Sequence, residues 1–298
     1  MSSLVRRLVQ KGPAGVARAL ARRAMRPVHH LRTAGAPTYH APDAVELAEI
    51  EANLSALGVA AADYRADPVA FAAFRARFQF PADYHGGPGG GVYVEKLLEH
   101  FVAWDLLALG TRADRWPYVD IAGASSPWAR LLRAQGREAF AIDLAPDPSL
   151  AVLPYVLAGD ATASPFDGAS LGGASLQCAY EMFAGDADTR LLTELARVLR
   201  PGGRAVICPL YTHAQACYYQ SPEHYGRDVG DTGAHRYLRR DAWDVAASRK
   251  YSPQTLLDRV WRPAQAAGLV AGLHVLRNAD AFGPGIYLHF ILTLDRQP

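Results

Sequence analysis

The stretch PYVDIAGASSPWARLLRAQGREAFAID, residues 117–143, decides the fold class. A short apolar run is followed by a loop of small residues and by an amphipathic segment that Gly136 can end. A second apolar run then ends at Asp143. This order predicts a strand, a helix and a second strand. Two strands joined in this way lie parallel in one sheet, because the crossover helix packs on the face of that sheet.

The same alternation continues to the end of the chain. Further strands are predicted at 154–159, 176–181, 204–210, 269–276 and 285–294, with helices at 188–199 and from Ser252. The prediction is therefore an α/β, Rossmann-like, seven-stranded and mostly parallel sheet with helices on both faces. Residues 1–80 are predicted to form a basic, helical accessory region, and residues 81–298 the main domain with an insert at 211–250.

Composition excludes several classes of protein. Half of the 298 residues are apolar and 20% are charged, which is typical of a packed globular chain and not of a disordered one. No apolar run reaches the roughly 18 residues of a membrane-spanning helix. The three cysteines match no zinc or redox spacing, which favours a reducing, cytoplasmic compartment. His213, His224 and His235 are eleven residues apart, but nothing else supports a metal, and we predict none.

Charge is distributed unevenly along the chain. Residues 1–35 hold eight basic side chains and no acidic one, whereas residues 36–298 hold 23 basic and 29 acidic side chains, a net charge of −6. A body that acidic argues against nucleic-acid binding. The basic leader is either a solvated segment or a peripheral anchor on an anionic membrane surface. The oligomeric state stays open, a homodimer included.

Ligands of a parallel sheet bind at the carboxyl ends of its strands. Asp120 and the small residues 122–126 follow the first strand, and Asp143 ends the second. Asp160 and Ala161 follow the third strand. Small side chains allow a backbone to approach a ligand closely, and a carboxylate at the second strand can accept both hydroxyls of a ribose.

The segment LARVLRPGG, residues 195–203, completes an ordered set with these acids. From about Tyr93 to Arg296 the sequence resembles the class I S-adenosylmethionine-dependent methyltransferases. That family usually has Asp-x-Gly-x-Gly-x-Gly after its first strand. Here the glycine positions carry Ala122, Ala124 and Ser126, and Gly123 is displaced by one. Alanine is tolerated there if the backbone φ angles stay negative, and it narrows the room for the amino-acid end of a cofactor.

The resemblance implies S-adenosylmethionine as cofactor and a role for each matching residue. Asp120 and the backbone of Ala122, Gly123 and Ala124 would face its methionine part. Asp143 would bind the ribose hydroxyls, while Asp160 and Ala161 would flank the adenine. Glu181, at the end of the fourth strand, would face both cofactor and acceptor.

The acceptor is expected to bind near the insert, which is rich in aromatic, histidine and arginine residues. Candidate substrate-binding residues are Tyr93, Lys96, Tyr180, Tyr211, Tyr218, Arg227, Arg236 and Tyr237. Methyl transfer to a hydroxyl needs a general base. His213 is the first candidate, with His100, His235 and Glu181 as competitors.

These residues predict O-methylation of a polar small molecule or glycan. The alternatives are a natural-product O- or N-methyltransferase, or a catalytically silent scaffold with the same fold. A nicotinamide-binding Rossmann domain would also place an acid such as Asp143 on a ribose, but its G-x-G-x-x-G motif is absent.

Overall fold

The computed structural model describes residues 20–21, 23–111, 116–123 and 125–298. The helices are α1 (Ala44–Ala56), α2 (Pro68–Arg77), α3 (Tyr93–Leu106), α4 (Trp128–Ala134), α5 (Ala187–Val198), α6 (Pro253–Leu256) and α7 (Arg262–Ala266). The strands are β1 (Ala61–Tyr64), β2 (Tyr118–Ile121), β3 (Ala139–Asp143), β4 (Val156–Ala158), β5 (Leu171–Gln177), β6 (Leu199–Leu210), β7 (Cys217–Gln220), β8 (His235–Leu238), β9 (Ser248–Lys250), β10 (Leu269–Leu276) and β11 (Phe290–Arg296). A π-helical segment, Leu257–Trp261, joins α6 to α7. Within these residues, no helix combines the length and the apolar character that a membrane crossing requires.

Eight strands form the main sheet, in the order β1-β10-β11-β6-β5-β2-β3-β4. β11 is antiparallel to both neighbours, and every other neighbouring pair is parallel. All seven predicted strands are present, which confirms the fold class. The eighth, β1, comes from the N-terminal region, where the sequence predicted only helices. It pairs with the otherwise open edge of β10, and covering such an edge satisfies its backbone hydrogen-bonding groups.

The fourth strand lies earlier than predicted, at Leu171–Gln177 instead of 176–181. The sequence places Gly172 and Gly173 before a strand, where they look like a turn. In the structure a Cβ on Gly172 would lie 2.5 Å from the Cβ of Trp116, so glycine here permits close packing inside the strand. Glu181 consequently lies beyond the strand, in the one-turn helix Tyr180–Met182.

Helices cover both faces of the sheet and enclose a hydrophobic core on each. α1, α5, α6 and α7 pack on one face, and α2, α3 and α4 on the other. The Phe stripe of α2 joins the N-terminal region to the second core. The Phe74 ring lies 5.5 Å from that of Phe101 and 5.6 Å from that of Trp128, in the tilted geometries that aromatic pairs prefer.

The insert contains a small sheet of its own, in the order β8-β7-β9. Residues ahead of α1 extend this sheet, because Leu238 donates to the carbonyl of Pro37 (2.7 Å) and accepts from the N–H of Tyr39 (2.9 Å). The N-terminal segment and the insert therefore hold each other in place. The domain boundaries at residue 80 and at 211–250 stay predictions.

Candidate functional site

The loop after β2 is built around the carboxylate of Asp120. This side chain is buried, its Oδ2 has no hydrogen-bond partner among the described residues, and burial raises its pKa to about 7. A Cβ on Gly123 would lie 2.8 Å from Oδ2, so glycine is required one position after the family's usual place. The Ser126 hydroxyl accepts from the N–H of Trp128, the first residue of α4 (3.2 Å).

Ala122 has a φ of +58°, in the left-handed region, so the condition under which alanine is tolerated without strain is not met. Its N–H donates to the carbonyl of Ile142 (2.7 Å), and this bond fixes the backbone in the strained conformation. A left-handed alanine costs roughly 1–2 kcal/mol relative to a right-handed one. The loop therefore adopts at Ala122 a backbone conformation that favours glycine.

Replacing Ala122 by glycine should stabilise the protein by about 0.5–1 kcal/mol, because relief of strain exceeds the added entropy of the unfolded chain. Urea denaturation measures the change. Ala52→Gly, at an exposed position inside α1, is the matched control and should destabilise by about 0.5–1 kcal/mol. Equal losses of stability in the two variants would show that the backbone of Ala122 is not strained.

A cavity of about 250 Å³ opens beside this loop. Asp120, Ile121, Ala122, Gly123, Ser125 and Ser126 line one side, and Tyr84, His85, Lys96, Glu99, His100, Gln177 and Cys178 line the other. Ala124 lies outside the described residues. The cavity thus joins the predicted cofactor loop to a polar wall contributed by α3 and by the end of β5.

Asp143 lies on the other side of the loop, next to a recess of about 10 Å³ that Gly123 and Ser126 also line. Its carboxylate accepts from the N–H of Ala145 (2.8 Å). Asp160, after β4, accepts from the N–H and the hydroxyl of Thr162 at 2.8 Å each, and the bond from this N–H lowers its pKa. Ala161 is buried in the turn that Asp160 caps. The acids stand at successive strand ends, as predicted. The recess beside Asp143 is a shallow space for a nucleoside.

Four polar residues of α3 lie close together here. Lys96, Glu99 and His100 line the cavity, and Glu95 is outside its lining. All four side chains are buried. Lys96 Nζ lies 2.8 Å from Glu99 Oε1, and the Tyr287 hydroxyl donates to the same oxygen at 3.3 Å. Burial raises the pKa of Glu95 to about 8 and that of Glu99 to about 7. Glu99 Oε2 has no hydrogen-bond partner among the described residues.

A second buried cluster lies next to Cys178. The Sγ atom of Cys178 donates to Glu181 Oε1 (3.4 Å) and lies 3.3 Å from the hydroxyl of Tyr211. Lys250 Nζ stands 3.7 Å from the centre of the Tyr211 ring, and burial lowers the pKa of this lysine to about 8. The cluster links the cavity wall to β9 of the insert.

The four candidate bases occupy different positions. His100 lines the cavity, with Nε2 2.8 Å from the hydroxyl of Tyr84, and burial lowers its pKa to about 3. Glu181 reaches the cavity wall through Cys178. His213 is buried outside the lining, next to the rings of Tyr39 and His40, and burial lowers its pKa. His235 is exposed on β8.

Of the candidate acceptor residues, Lys96 lines the cavity and Tyr211 touches the wall residue Cys178. Tyr180 is buried and donates to the carbonyl of Asp188 (3.1 Å). Tyr93, Tyr218, Arg227, Arg236 and Tyr237 are absent from the lining of this cavity among the residues described. In the insert, Arg236 Nε donates to the hydroxyl of Tyr218 at 2.8 Å.

Several residues of the site were not identified from the sequence, among them Tyr84, Lys250 and Tyr287. Glu99 was also absent from the candidates, although its place next to Lys96 and His100 among the polar residues of α3 was a signal for it. Tyr287 lies in a loop far along the chain, and only the antiparallel return of β11 brings this loop against α3. A local pattern gives no sign of that contact.

Residues 119–207 match the family model described as a methyltransferase domain. This match confirms the resemblance to the class I S-adenosylmethionine-dependent methyltransferases, and S-adenosylmethionine is the cofactor of that family. Curated proteins gave no match to the chain.

Two solved structures illustrate the distant structural likeness. The 1,6-didemethyltoxoflavin-N1-methyltransferase of Burkholderia thailandensis, solved with 1,6-didemethyltoxoflavin and S-adenosylhomocysteine, is 20% identical (TM-score 0.47). The similarity covers 80% of this chain and 95% of that one. An S-adenosylmethionine-dependent methyltransferase of Mesorhizobium loti is 17% identical over 65% of this chain and 97% of that chain (TM-score 0.44).

Proposed function

We propose that the protein transfers a methyl group from S-adenosylmethionine to a hydroxyl of a polar small molecule or glycan. The cavity that joins the β2 loop to the buried acids of α3 supports this proposal most strongly. Three of the predicted cofactor residues, Asp120, Ala122 and Gly123, line the same opening as Glu99 and His100. An amine of a natural product is the second candidate acceptor, since the same carboxylates accept hydrogen bonds from N–H groups.

The chain's own residues fit the cofactor at its amino-acid end. Asp120 offers a buried carboxylate oxygen that lacks a donor, and Gly123 leaves room that any side chain would fill. When bound, S-adenosylmethionine supplies the electrophilic methyl group. The protein then has to align the acceptor and take up its proton.

Glu99 is the residue we assign to proton uptake, in preference to His213. Its unpartnered Oε2 belongs to a fully buried side chain in the cavity wall, whereas His213 stands outside that wall. Lys96 and Tyr287 both hold the other oxygen, Oε1, which fixes the orientation of the carboxylate. In the transfer, Glu99 Oε2 would take up the proton of the acceptor O–H as the acceptor oxygen receives the methyl group that S-adenosylmethionine would supply.

Asp143→Ala should weaken binding of S-adenosylhomocysteine by about 1.5–3 kcal/mol, because the ribose loses hydrogen bonds to a charged acceptor. That loss corresponds to roughly 10- to 150-fold in dissociation constant. Isothermal titration calorimetry on the full chain measures it. Asp147→Ala is the control, since this exposed acid on the following turn binds only the local N–H and hydroxyl of Ser149. Equal affinity in the Asp143 variant and the wild type would show that another residue holds the ribose.

The scaffold alternative gives a different result in the same calorimeter. A silent domain shows no heat of binding and no thermal shift with S-adenosylmethionine. A functional one is stabilised by about 2.7 kcal/mol when the ligand is at 100 times its dissociation constant.

We also propose that the N-terminal helix attaches the protein to an anionic membrane surface. Residues 23–32 are helical, and the Arg26 guanidinium lies 4.3 Å from the centre of the Trp243 ring of the insert. Large apolar side chains of this region are nevertheless exposed: Leu20, Met25, Val28 and Leu31. An apolar helix face flanked by basic residues is typical of a peripheral membrane helix.

Leu31→Ser should reduce binding to phosphatidylglycerol-containing vesicles roughly 10- to 150-fold, because a buried leucine contributes about 1.5–3 kcal/mol. Vesicle co-sedimentation of the full chain measures the effect. Val69→Ser is the control, since Val69 is as exposed as Leu31 (78% against 79%) but lies on α2. If pure phosphatidylcholine vesicles bind the protein as well as anionic ones, the electrostatic part of the proposal is wrong.

A further inference from the structure

Three metal-ligating side chains of the insert meet away from the catalytic cavity. Glu223 and His224 follow β7, and Asp244 precedes β9. One ligand atom from each lies within 4.8 Å of the others. The two segments are fixed side by side, because the Ser221 N–H donates to the carbonyl of Val245 (3.0 Å).

Two of the three side chains each have a buried polar atom without a hydrogen-bond partner among the described residues. Glu223 Oε2 and His224 Nδ1 are inaccessible to solvent and have no hydrogen-bond partner among the described residues. The other oxygen of Glu223 accepts from the N–H of Asp244, which orients the carboxylate. An unpartnered buried polar atom costs about 1–3 kcal/mol, so two neighbouring ones require an explanation.

A cation satisfies both atoms at once. We propose that Glu223, His224 and Asp244 bind a divalent transition metal, with Zn²⁺ as the ion that best suits the ligands. Imidazole nitrogen together with carboxylate oxygen is a usual zinc donor set, whereas Mg²⁺ and Ca²⁺ prefer oxygen alone. Three protein ligands leave a fourth position for water.

We predicted no metal from the sequence because only the even spacing of three histidines suggested one. Only His224 takes part, and its partners are a chain neighbour and an acid 20 residues further on. The ion would join the loop after β7 to the loop before β9. Trp243, the residue next to Asp244, is the one that packs against Arg26 and, at 5.3 Å, His30 of the N-terminal helix. A metal here would therefore stabilise the surface on which that helix rests.

Titration of the untagged, chelator-treated full chain with Co²⁺ and Zn²⁺ tests the site. We expect one equivalent of Co²⁺ to bind with visible d–d absorption and to be displaced by Zn²⁺. His224→Gln and Asp244→Asn should each weaken Zn²⁺ binding about 100-fold or more. His235→Gln is the matched control, because His235 lies in the same insert but outside the cluster, and it should bind as the wild type does.

Thermal melts separate loss of the site from loss of folding. In the presence of chelator, both variants should melt close to the wild type, whereas added Zn²⁺ should raise only the melting temperatures of the wild type and of His235→Gln. Absence of stoichiometric binding in the wild type, or equal binding in His224→Gln and Asp244→Asn, would overturn the proposal. Neither result bears on S-adenosylmethionine binding, which is measured separately.

Discussion

Asp188→Ala is expected to destabilise the protein by about 3–5 kcal/mol, the cost of breaking a buried ion pair from one side. Asp188, in the first turn of α5, is fully buried and has three partners. Its carboxylate lies 2.7 Å from Arg249 Nη1 and 2.6 Å from Arg259 Nη2, and it accepts from the hydroxyl of Tyr251 at 2.7 Å. Removal of the acid leaves the nearly buried guanidinium of Arg249 with Asp231 as its remaining carboxylate partner.

This cluster connects the insert to the main domain, since Arg249 lies in β9 and Arg259 lies in the helical segment that follows. Urea denaturation of the full chain measures the loss. Asp186→Ala is the control two residues earlier: its ion pair with Arg190 is exposed, and its removal should cost less than about 1 kcal/mol. Similar losses in both variants would show that the buried pair adds little stability.

The second large effect is expected for Glu99→Gln. Loss of the proposed general base should lower turnover about 10²- to 10⁴-fold, with S-adenosylhomocysteine affinity unchanged within a few-fold. The measurement is transfer of a tritiated methyl group to a panel of small hydroxyl and amine compounds, followed with the best acceptor of the wild type. His213→Ala is compared in parallel, and a larger loss in that variant than in Glu99→Gln would return the role to the histidine.

The pH dependence of stability tests Glu99 without an acceptor. Burial raises the pKa of Glu99 from 4.5 to about 7, so the folded protein holds this proton more tightly than the unfolded chain does. Its contribution to the free energy of unfolding is therefore present below pH 4.5 and is lost as the pH rises towards 7. The stability of Glu99→Gln relative to the wild type should increase across this window. If the difference in stability between the variant and the wild type stays constant from pH 4.5 to 7, the pKa of Glu99 is not raised.

Much of the architecture could be predicted because strands and helices of a parallel sheet carry local signals. The apolar runs ending at Asp120 and Asp143 are such signals, and both acids stand at strand ends as predicted. The backbone of Ala122 could not be predicted in this way. A left-handed φ there depends on the bond to Ile142 in the neighbouring strand, which no pattern around residue 122 records.

The candidate site likewise has one part that the sequence predicts and another part that it does not. The chemistry of the cofactor side follows from acids placed after strands, a rule that the order of elements along the chain satisfies. The acceptor side depends on contacts between distant segments. Tyr287 reaches Glu99 across 188 positions, and Tyr211 joins Cys178 to Lys250. Burial then changes the acidity of these groups, and burial is a property of the assembled core.

By itself, the sequence determined the fold class, the order of strands and helices along the chain, and the positions of the acids at the ends of the strands. Periodic burial and turn-forming residues act over short stretches of chain, and so they can be recognised without coordinates. Only the tertiary structure decided which polar groups share the cavity, which histidines stand apart from it, and how the insert is fixed to the N-terminal segment. Those features arise from hydrogen bonds and ion pairs between residues far apart in the chain, which form only when the sheet and its helices have packed.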